Sequence, residues 1–425
     1  MPESLEVPFL LRESVARQTL QHPSPARPLT MRVSRQTLTV ALGILTAILS
    51  ACGGDSGSIA PPPPTTGTLE FNVVTTGTDI AADGFVVDID GQSRILPANG
   101  TLSISALPGA HQLSMSGFGF NCDLIAAPTS ANVVLATTTR LDVQATCTPY
   151  LSNAILFTTT LFGVPEVMAM RPDGSRRIRL TTDLQGYMAP VVSPDGQYIA
   201  VGSGSPGAPW DGIYLLDRFG KGRRKLVGRS NFDGMPAWSP DGTKLAFRSA
   251  IHTASGDRDR IFIVNLDGTG LRQLTPESTD PNLNIFDEAP SWSPDGSRLL
   301  FQRSAELSFI NADGTGLVST GVIGDNPSWS RDGTQIAYQG LYVFGSAGHD
   351  GIFVMDMSFT PHRLLTGGLD DQMPRWSPNG TQLVFARVEG GLFHLYKMHA
   401  DGSGLTALLS PATLSEIWPS WSPIF

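Results

Sequence analysis

The chain of 425 residues has little of what most enzyme classes require. It contains three Cys and seven His, with no Cys-x-x-Cys and no His-Glu-x-x-His. Zinc ribbons, thioredoxin-type redox centres and zincin sites are thereby excluded. There is no Walker loop, and no Rossmann fingerprint opening a helix, so nucleotide and dinucleotide chemistry has no cradle. No Gly-x-Ser-x-Gly elbow is present either, which removes the α/β-hydrolase nucleophile. Charged residues make up only 16% of the chain, with a net charge of −9 and a pI near 5.2. That balance argues against a nucleic-acid surface. Long apolar runs are scarce: the clearest, Leu38 to Leu49, is too short to span a bilayer comfortably.

Repetition is what the chain does have. Pro236-Ala-Trp238-Ser-Pro-Asp241-Gly242, Pro290-Ser-Trp292-Ser-Pro-Asp295-Gly296, Pro327-Ser-Trp329-Ser-Arg-Asp332-Gly333 and Pro374-Arg-Trp376-Ser-Pro-Asn379-Gly380 are copies of one motif. Pro190-Val-Val-Ser193-Pro-Asp195-Gly196 lacks the Trp, and Pro419-Ser-Trp421-Ser-Pro423 stops at the C-terminus. The steps between starting prolines are 46, 54, 37, 47 and 45 residues, a period that means one supersecondary unit repeated with variable loops. Each unit reads as four strands: Pro-x-Trp-Ser, an apolar strand such as Leu245-Ala-Phe247, an alternating strand such as Ile261 to Val264, and a last strand near Leu274-Thr275. Asp-Gly turns separate them, because Gly accepts positive φ without a Cβ clash. Four strands per period predict a propeller blade.

The apolar second strand occurs six times, beginning with Ile155-Leu-Phe157, and the Pro-x-Trp-Ser strand six times, ending with Pro419 to Ser422. The array therefore starts on strand two of a blade and ends on strand one. This offset predicts a six-bladed ring over 150–425 whose C-terminal strand completes the first blade and pairs both open edges. These residues resemble the TolB family of six-bladed propellers with WD40-like (PD40) repeats, over roughly Ser152 to Phe425. The resemblance is specific as to fold. For function it implies a scaffold or binding protein, since propellers of this type serve many roles. The α/β domain that usually precedes a TolB propeller is missing.

Arg32 and Arg35 precede the apolar run, which ends Leu49-Ser50-Ala51-Cys52. This is the pattern of a secretory leader over 31–51, and it resembles a bacterial lipoprotein lipobox in which Cys52 becomes the lipidated first residue. Residues 1–30 read as a non-native or disordered extension. Residues 52–66, with Pro61 to Pro64, read as a flexible and then polyproline-stiffened tether. The string Gly54-Asp55-Ser56-Gly57 within it matches a trypsin-like motif by accident, with no barrel to place a His and an Asp. Gly53 after Cys52, rather than Asp, favours the outer membrane facing the periplasm. With Cys52 assigned to lipid, Cys122 and Cys147 are expected to pair in an oxidising envelope; the alternative is two separate buried thiols.

Between 67 and 149 short alternating stretches replace the repeat, and a small antiparallel β-sandwich is expected. Leu107-Pro-Gly-Ala-His111-Gln-Leu113 resembles part of PEGA-like or carboxypeptidase-regulatory-like domains. The expected role is a spacer lifting the propeller off the membrane.

One constellation suggests a site. Asp233, Asp287 with Glu288, Asp325, Asp370 with Asp371, and Glu416 all fall just before the Pro-x-Trp-Ser strand. In a propeller that strand lines the central channel, so the carboxylates are expected to gather around one mouth. There they would capture a cation, a basic peptide or a polar ligand. The competing reading is that they cap turns and keep that face soluble. Arg171, Arg176, Arg177 and Arg179, then Arg218, Lys221, Arg223, Arg224 and Lys225, fall on outer hairpins of the first two blades and could meet anionic envelope polymers. The His residues, with His252 placed in a loop, form no metal set by spacing. No cofactor and no metal is expected. The sequons at Asn99 and Asn379 read as turn chemistry. The leading functional reading is a lipid-anchored envelope protein that binds an envelope protein or peptide at the channel mouth. The rival is a propeller-based glycan lyase or hydrolase using the mouth carboxylates. A deep pocket with a strongly perturbed acid beside a base would separate the two.

Overall fold

A computed structural model describes residues 63–80, 84–160, 163–203, 211–229, 233–253, 256–277, 285–344, 347–359, 362–367, 370–408 and 414–424. The extension, the leader, Cys52, the first part of the tether and the Gly54–Gly57 string lie outside the described residues. Among the described residues no helix is long and apolar enough to cross a membrane.

Eight strands come first: β1 (Gly67–Gly77), β2 (Phe85–Ile89), β3 (Gln92–Leu96), β4 (Gly100–Ala106), β5 (Gly109–Ser116), β6 (Cys122–Ala126), β7 (Ser130–Val133) and β8 (Thr138–Cys147). They form two sheets, ordered β4-β1-β8-β6 and β3-β2-β5-β7. Alternation in β1 and β8 sends Leu69, Phe71, Val73, Leu141 and Val143 inward. There they meet Phe85, Val87, Leu96 and Leu113 from the other sheet in one core. The expected antiparallel sandwich is corrected in one respect. β1 and β8 pair in parallel over ten residues, from Thr68↔Thr138 to Gly77↔Cys147, so that sheet is mixed. Cys122 faces Cys147 across β6 and β8, and the two form a disulfide.

Six four-stranded sheets follow. The inner strands, numbered by blade, are Glu416–Trp421 (blade 1), Tyr187–Val192 (blade 2), Gly234–Trp238 (blade 3), Asp287–Trp292 (blade 4), Asp325–Trp329 (blade 5) and Asp371–Trp376 (blade 6). Blade 1 is assembled from both ends of the array: Glu416–Trp421 pairs with Ile155–Thr159. Ser422 Oγ accepts from the Ala154 amide at 2.7 Å, and Asn153 donates its amide to Pro423 O at 2.9 Å. Six apolar clusters fill the six seams between neighbouring blades, including Ile155, Phe157 and Met170 of blade 1 against Val384, Ala386 and Leu395 of blade 6. The ring is closed.

The repeat motif is explained by two contacts. The Trp packs in a seam and its indole N–H donates to the preceding blade: Trp238 to Val191 O, Trp292 to Ala237 O and Trp376 to Ser328 O, at 3.1, 3.2 and 3.1 Å. The Ser hydroxyl donates to the Asp two residues on, as in Ser293 to Asp295 at 2.5 Å. That carboxylate also takes the Ser297 amide, so the tight turn fixes itself. These donors hold the Asp295 acid down at about 2.

The sandwich is docked on the propeller. Blade 2 lacks the Trp, and the seam between blades 1 and 2 takes in Phe120 from the sandwich, with Tyr150 beside it. Arg171 Nη1 reaches Asp123 at 2.6 Å, Arg176 Nη1 donates to Gly119 O at 2.9 Å, and Arg218 Nη2 meets Asp79 at 2.7 Å. Asp79 also accepts from the Tyr150 amide at 2.8 Å. The small domain expected as a spacer is thus packed against blades 1 and 2. Most of the expected basic surface has intramolecular partners: Arg177 meets Glu416, Arg179 meets Glu166, Lys225 meets Asp211, and Arg223 lies over the Tyr214 ring. Arg224 remains exposed. His252 lies in the blade 3 strand Lys244–Thr253 rather than in a loop.

Candidate binding site at the channel mouth

Every inner strand carries the same irregularity. The residue before the motif proline has positive φ in all six blades: Ala189, Met235, Ala289, Asn326, Met373 and Trp418, between 48° and 58°. A β-bulge accompanies it each time. A left-handed residue at a bulge re-aims its neighbours, and here it brings the proline segments of all six blades around one axial cavity.

Because side chains alternate along a strand, neighbouring acids cannot share one face. The seven predicted carboxylates therefore separate into two groups. Asp233, Asp287, Asp371 and Glu416 occupy the position three before the proline and are 0, 0, 0 and 1% exposed. They do not face the mouth. Asp287 takes both its oxygens to Arg303 Nη1 at 2.7 and 2.8 Å, and Asp371 takes Arg387 at 2.6 and 2.9 Å. Glu416 meets Arg177, and Asp233 accepts from the Arg229 amide at 2.6 Å. For these four, the mouth expectation is corrected: they brace the ring from within.

The other three are linked through partners the sequence did not reveal. Glu288 reaches back to Arg248 of blade 3 at 2.8 Å, and Arg248 lies 3.7 Å from Asp259. Gln339 and Gln372, from blades 5 and 6, both donate to Asp350 at 3.1 Å. Asp370, 46% exposed, lies 3.3 Å from His349 and accepts from the Asp350 amide at 3.2 Å. Asp325 sits between these groups, and its acid is pushed up to about 7 by burial first, then by the charges of Glu288 and Asp350. Asp350 is raised too, by burial and then by Asp370. The mouth thus gathers Glu288, Asp325, Asp350, Asp370 and Asp259 against Arg248, Arg375 and His349. Among the described residues no group of three His, Cys, Asp or Glu is placed to hold a metal ion.

Register gives the mouth its shape. In blade 3 the inner strand begins opposite Arg248, yet the next hairpin runs on to Thr253 and Gly256. In blade 5 it begins opposite Gln339, and the hairpin runs on to Phe344 and Ala347. Between them, blade 4 turns back immediately at Arg303 and Glu306. Two hairpins rise on either side of a low blade.

Below the mouth the axis narrows to a cavity of about 30 Å³, lined by Ala189, Met235, Ala289, Asn326, Arg375, Trp418 and Ser420 among others. Arg375 stands where other copies of the motif carry Ala, Ser or Val. Its Nη1 donates to Asn326 O at 3.3 Å and Pro374 O at 2.8 Å. Burial lowers the guanidinium to about 10, with Asp325 pulling the other way. A raised acid beside a desolvated base is thus present.

The model of the family described as "TolB beta propeller domain" (PD40) matches residues 165–425. The chain is similar to the Protein TolB homolog of Chlorobaculum tepidum, 29% identical over 216 residues, covering 49% of this chain and 44% of that protein. It is also similar to the Protein TolB homolog of Chlorobium luteolum, 29% identical over 150 residues, covering 35% and 30%. The chain spans less than half the length of these curated relatives. Among solved structures, TolB from Acinetobacter baumannii superposes with a TM-score of 0.54 at 20% identity, over 64% of this chain and 67% of that one, a likeness of fold.

Proposed function

Because the chain belongs to the TolB β-propeller domain family, we propose that it is a lipid-anchored cell-envelope protein whose propeller binds a partner protein or peptide at the channel mouth, without catalysis. One observation carries this reading. Five carboxylates with only two guanidiniums and one imidazole among them lie at the mouth. Hairpins rise on two sides of it, above the axial waist. Such a surface suits an extended basic segment of a partner better than a small molecule. The name of one relative, "Tol-Pal system protein TolB" of Anaeromyxobacter dehalogenans, 29% identical over 130 residues, supports an envelope setting. The leader and Cys52 support attachment by lipid, and Gly53 supports the outer membrane, facing the periplasm. The exposed Lys221 and Arg224 on the outer hairpin of blade 2 would add at most a weak contact with anionic polymers.

The test is affinity capture from envelope extract with the acyl-free protein, followed by calorimetry with the captured partner. Glu288→Gln combined with Asp350→Asn and Asp370→Asn should weaken that partner at least tenfold and flatten its salt dependence. Unchanged affinity in the triple variant would refute the mouth as the site. A second reading, a glycan lyase or hydrolase, draws on Asp325 beside Arg375. Turnover of an envelope glycan that Asp325→Asn abolishes would establish it over the first.

A further inference from the structure

One end of the small domain is apolar at the point where the chain enters it. Residues 63–66 lead into β1 at Gly67. Gly67 stands opposite Ala106, the last residue of β4, and a Cβ on it would meet Val134 O at 2.3 Å. The turns after β4 and β7 therefore flank the entry. They expose Leu107 (67%), Val134 (52%) and Leu135 (48%), and neither 107–109 nor 134–137 contains a charged residue. Both turns are held in place. The Ala136 amide donates to Thr66 O at 3.1 Å and the Thr68 amide to Thr137 O at 2.8 Å, which ties the second turn to the entering segment. His111 reaches Leu107 O at 2.8 Å and Asp90 at 2.5 Å, which pins the first. The acids nearest this end are engaged: Asp88 by the Gly91 amide at 2.7 Å, Asp90 also by the Gln112 amide at 2.8 Å, and Glu70 by Arg140 at 3.0 Å. The other end of β1 leads to Asp79, which meets Arg218 of the propeller. Eleven strand residues lie between the two ends, roughly 35 Å at about 3.3 Å each.

We propose that this end is a membrane-contacting tip, with Leu107, Val134 and Leu135 entering the interfacial region of the bilayer that holds the lipid on Cys52. The contact presupposes the lipid anchor proposed above and adds how the body stands on the membrane. Eleven peptide steps join Cys52 to Pro63, a reach of at most about 40 Å. The chain enters the described residues at the tip, so the tip is what the anchor keeps closest to the surface. Large exposed apolar side chains on uncharged turns gain by leaving water. Three of them alone would hold a protein to a bilayer only weakly and reversibly, and the lipid supplies the second signal. Together the two fix an orientation that a flexible tether cannot. β1 then stands steeply to the membrane plane, and the propeller is held off by the length of that strand.

Cys122 and Cys147 are bonded to each other, so Cys52 is the remaining thiol and can be coupled to a maleimide lipid. The chain from Cys52 onward would be attached in this way to vesicles of phosphatidylethanolamine and phosphatidylglycerol. All seven Trp lie at position 210 or beyond, in the propeller's part of the chain, which makes the parent a blank. The added fluorescence of Leu135→Trp should be quenched by brominated acyl chains. That of Thr76→Trp, at the propeller end of β1, should not. Adding Leu107→Ser and Val134→Ser to Leu135→Trp should abolish most of the quenching and leave the unfolding midpoint unchanged, because these side chains are exposed. Quenching that survives both serines would mean that the indole inserts by itself. Equal quenching at positions 135 and 76 would mean that the sandwich lies flat, and no quenching at either would leave the tip in water. Each of these overturns the proposal, as does a dimer that the serines dissociate, which would assign the tip to a second copy of the chain. Because the lipid is attached chemically, none of these outcomes depends on acylation in the cell. An unmodified Cys52 in protein recovered from membranes, read by mass spectrometry, would instead refute the anchor.

Discussion

Asp371 and Arg387 face each other across the first two strands of blade 6, carboxylate to guanidinium at 2.6 and 2.9 Å, with Asp371 wholly buried. Its chain neighbour Asp370 is half exposed beside His349. One residue of register separates a brace from a surface charge. Removing one partner of a buried pair leaves an uncompensated charge and costs about 3–5 kcal/mol. Asp371→Ala should lower stability by that order in urea unfolding, whereas Asp370→Ala should change it by about 0.5 kcal/mol or less. Equal costs for the two would contradict the assignment.

The junction of sandwich and propeller gives a second prediction. Arg171 and Arg218 bridge it to Asp123 and Asp79, and Phe120 fills the seam that lacks a Trp. Calorimetry of the intact protein should show the sandwich melting with blades 1 and 2. Phe120→Ala combined with Arg171→Ala and Arg218→Ala should split the sandwich into a separate, earlier transition. The Phe truncation alone is expected to cost about 3–5 kcal/mol. A single unchanged transition in the triple variant would show that the contacts do not couple the two parts.

Asp325 sets the pH dependence. Its acid stands at about 7 in the folded protein and 3.8 ordinarily, so the folded state holds the proton more tightly. Stability from this group is full at low pH and is lost as the pH rises toward 7. Every tenfold difference in proton affinity between the folded and unfolded chain is worth roughly 1.4 kcal/mol, so the loss amounts to a few kcal/mol. Asp325→Asn keeps an oxygen for the Asn326 amide that the carboxylate now accepts. The variant should match the parent near pH 4 and exceed it at pH 8, measured by denaturant midpoints across that range. A parent more stable at pH 8 than its Asn variant would reverse the sign and refute the burial of Asp325.

How much of this was readable from the residues follows from period. Asp-Gly turns, apolar second strands and a motif returning about every 46 residues are local signals, so blade number and the offset closure were legible. The sandwich strands β3 and β6 were not. β3 is mostly exposed, with Arg94 and Ile95 outward, and lacks an apolar stripe, although Asp90-Gly91 before it is a hairpin signal. The parallel pairing of β1 and β8 joins residues seventy apart and leaves no local trace. At the mouth, a count of acids near a proline could not tell one strand face from the other, because the bulge at Ala289 or Met373 resets the alternation. Arg375 and Trp418 were visible as departures from the repeat, and those departures mark the waist. Arg248 and Asp350 came from neighbouring blades and could be found only in three dimensions.

The closure itself is the last prediction. Glu416–Trp421 supplies the innermost strand of a blade whose other three strands lie more than two hundred residues earlier. Without it, Ile155–Thr159 becomes an open apolar edge, a template for wrong pairing. Half-buried Arg177 loses Glu416, the Ala154 amide loses Ser422 Oγ, and the Trp421 side chain leaves the seam between blades 6 and 1. These losses fall in one place and compound, so a chain ending at residue 413 should aggregate or melt far below the parent. Because the missing piece is a single strand, a synthetic peptide of residues 414–425 added during refolding should restore the cooperative transition, and a peptide carrying Ser422→Ala and Glu416→Ala should not. A truncated chain that keeps the parent's melting temperature would mean that the ring does not depend on its final strand.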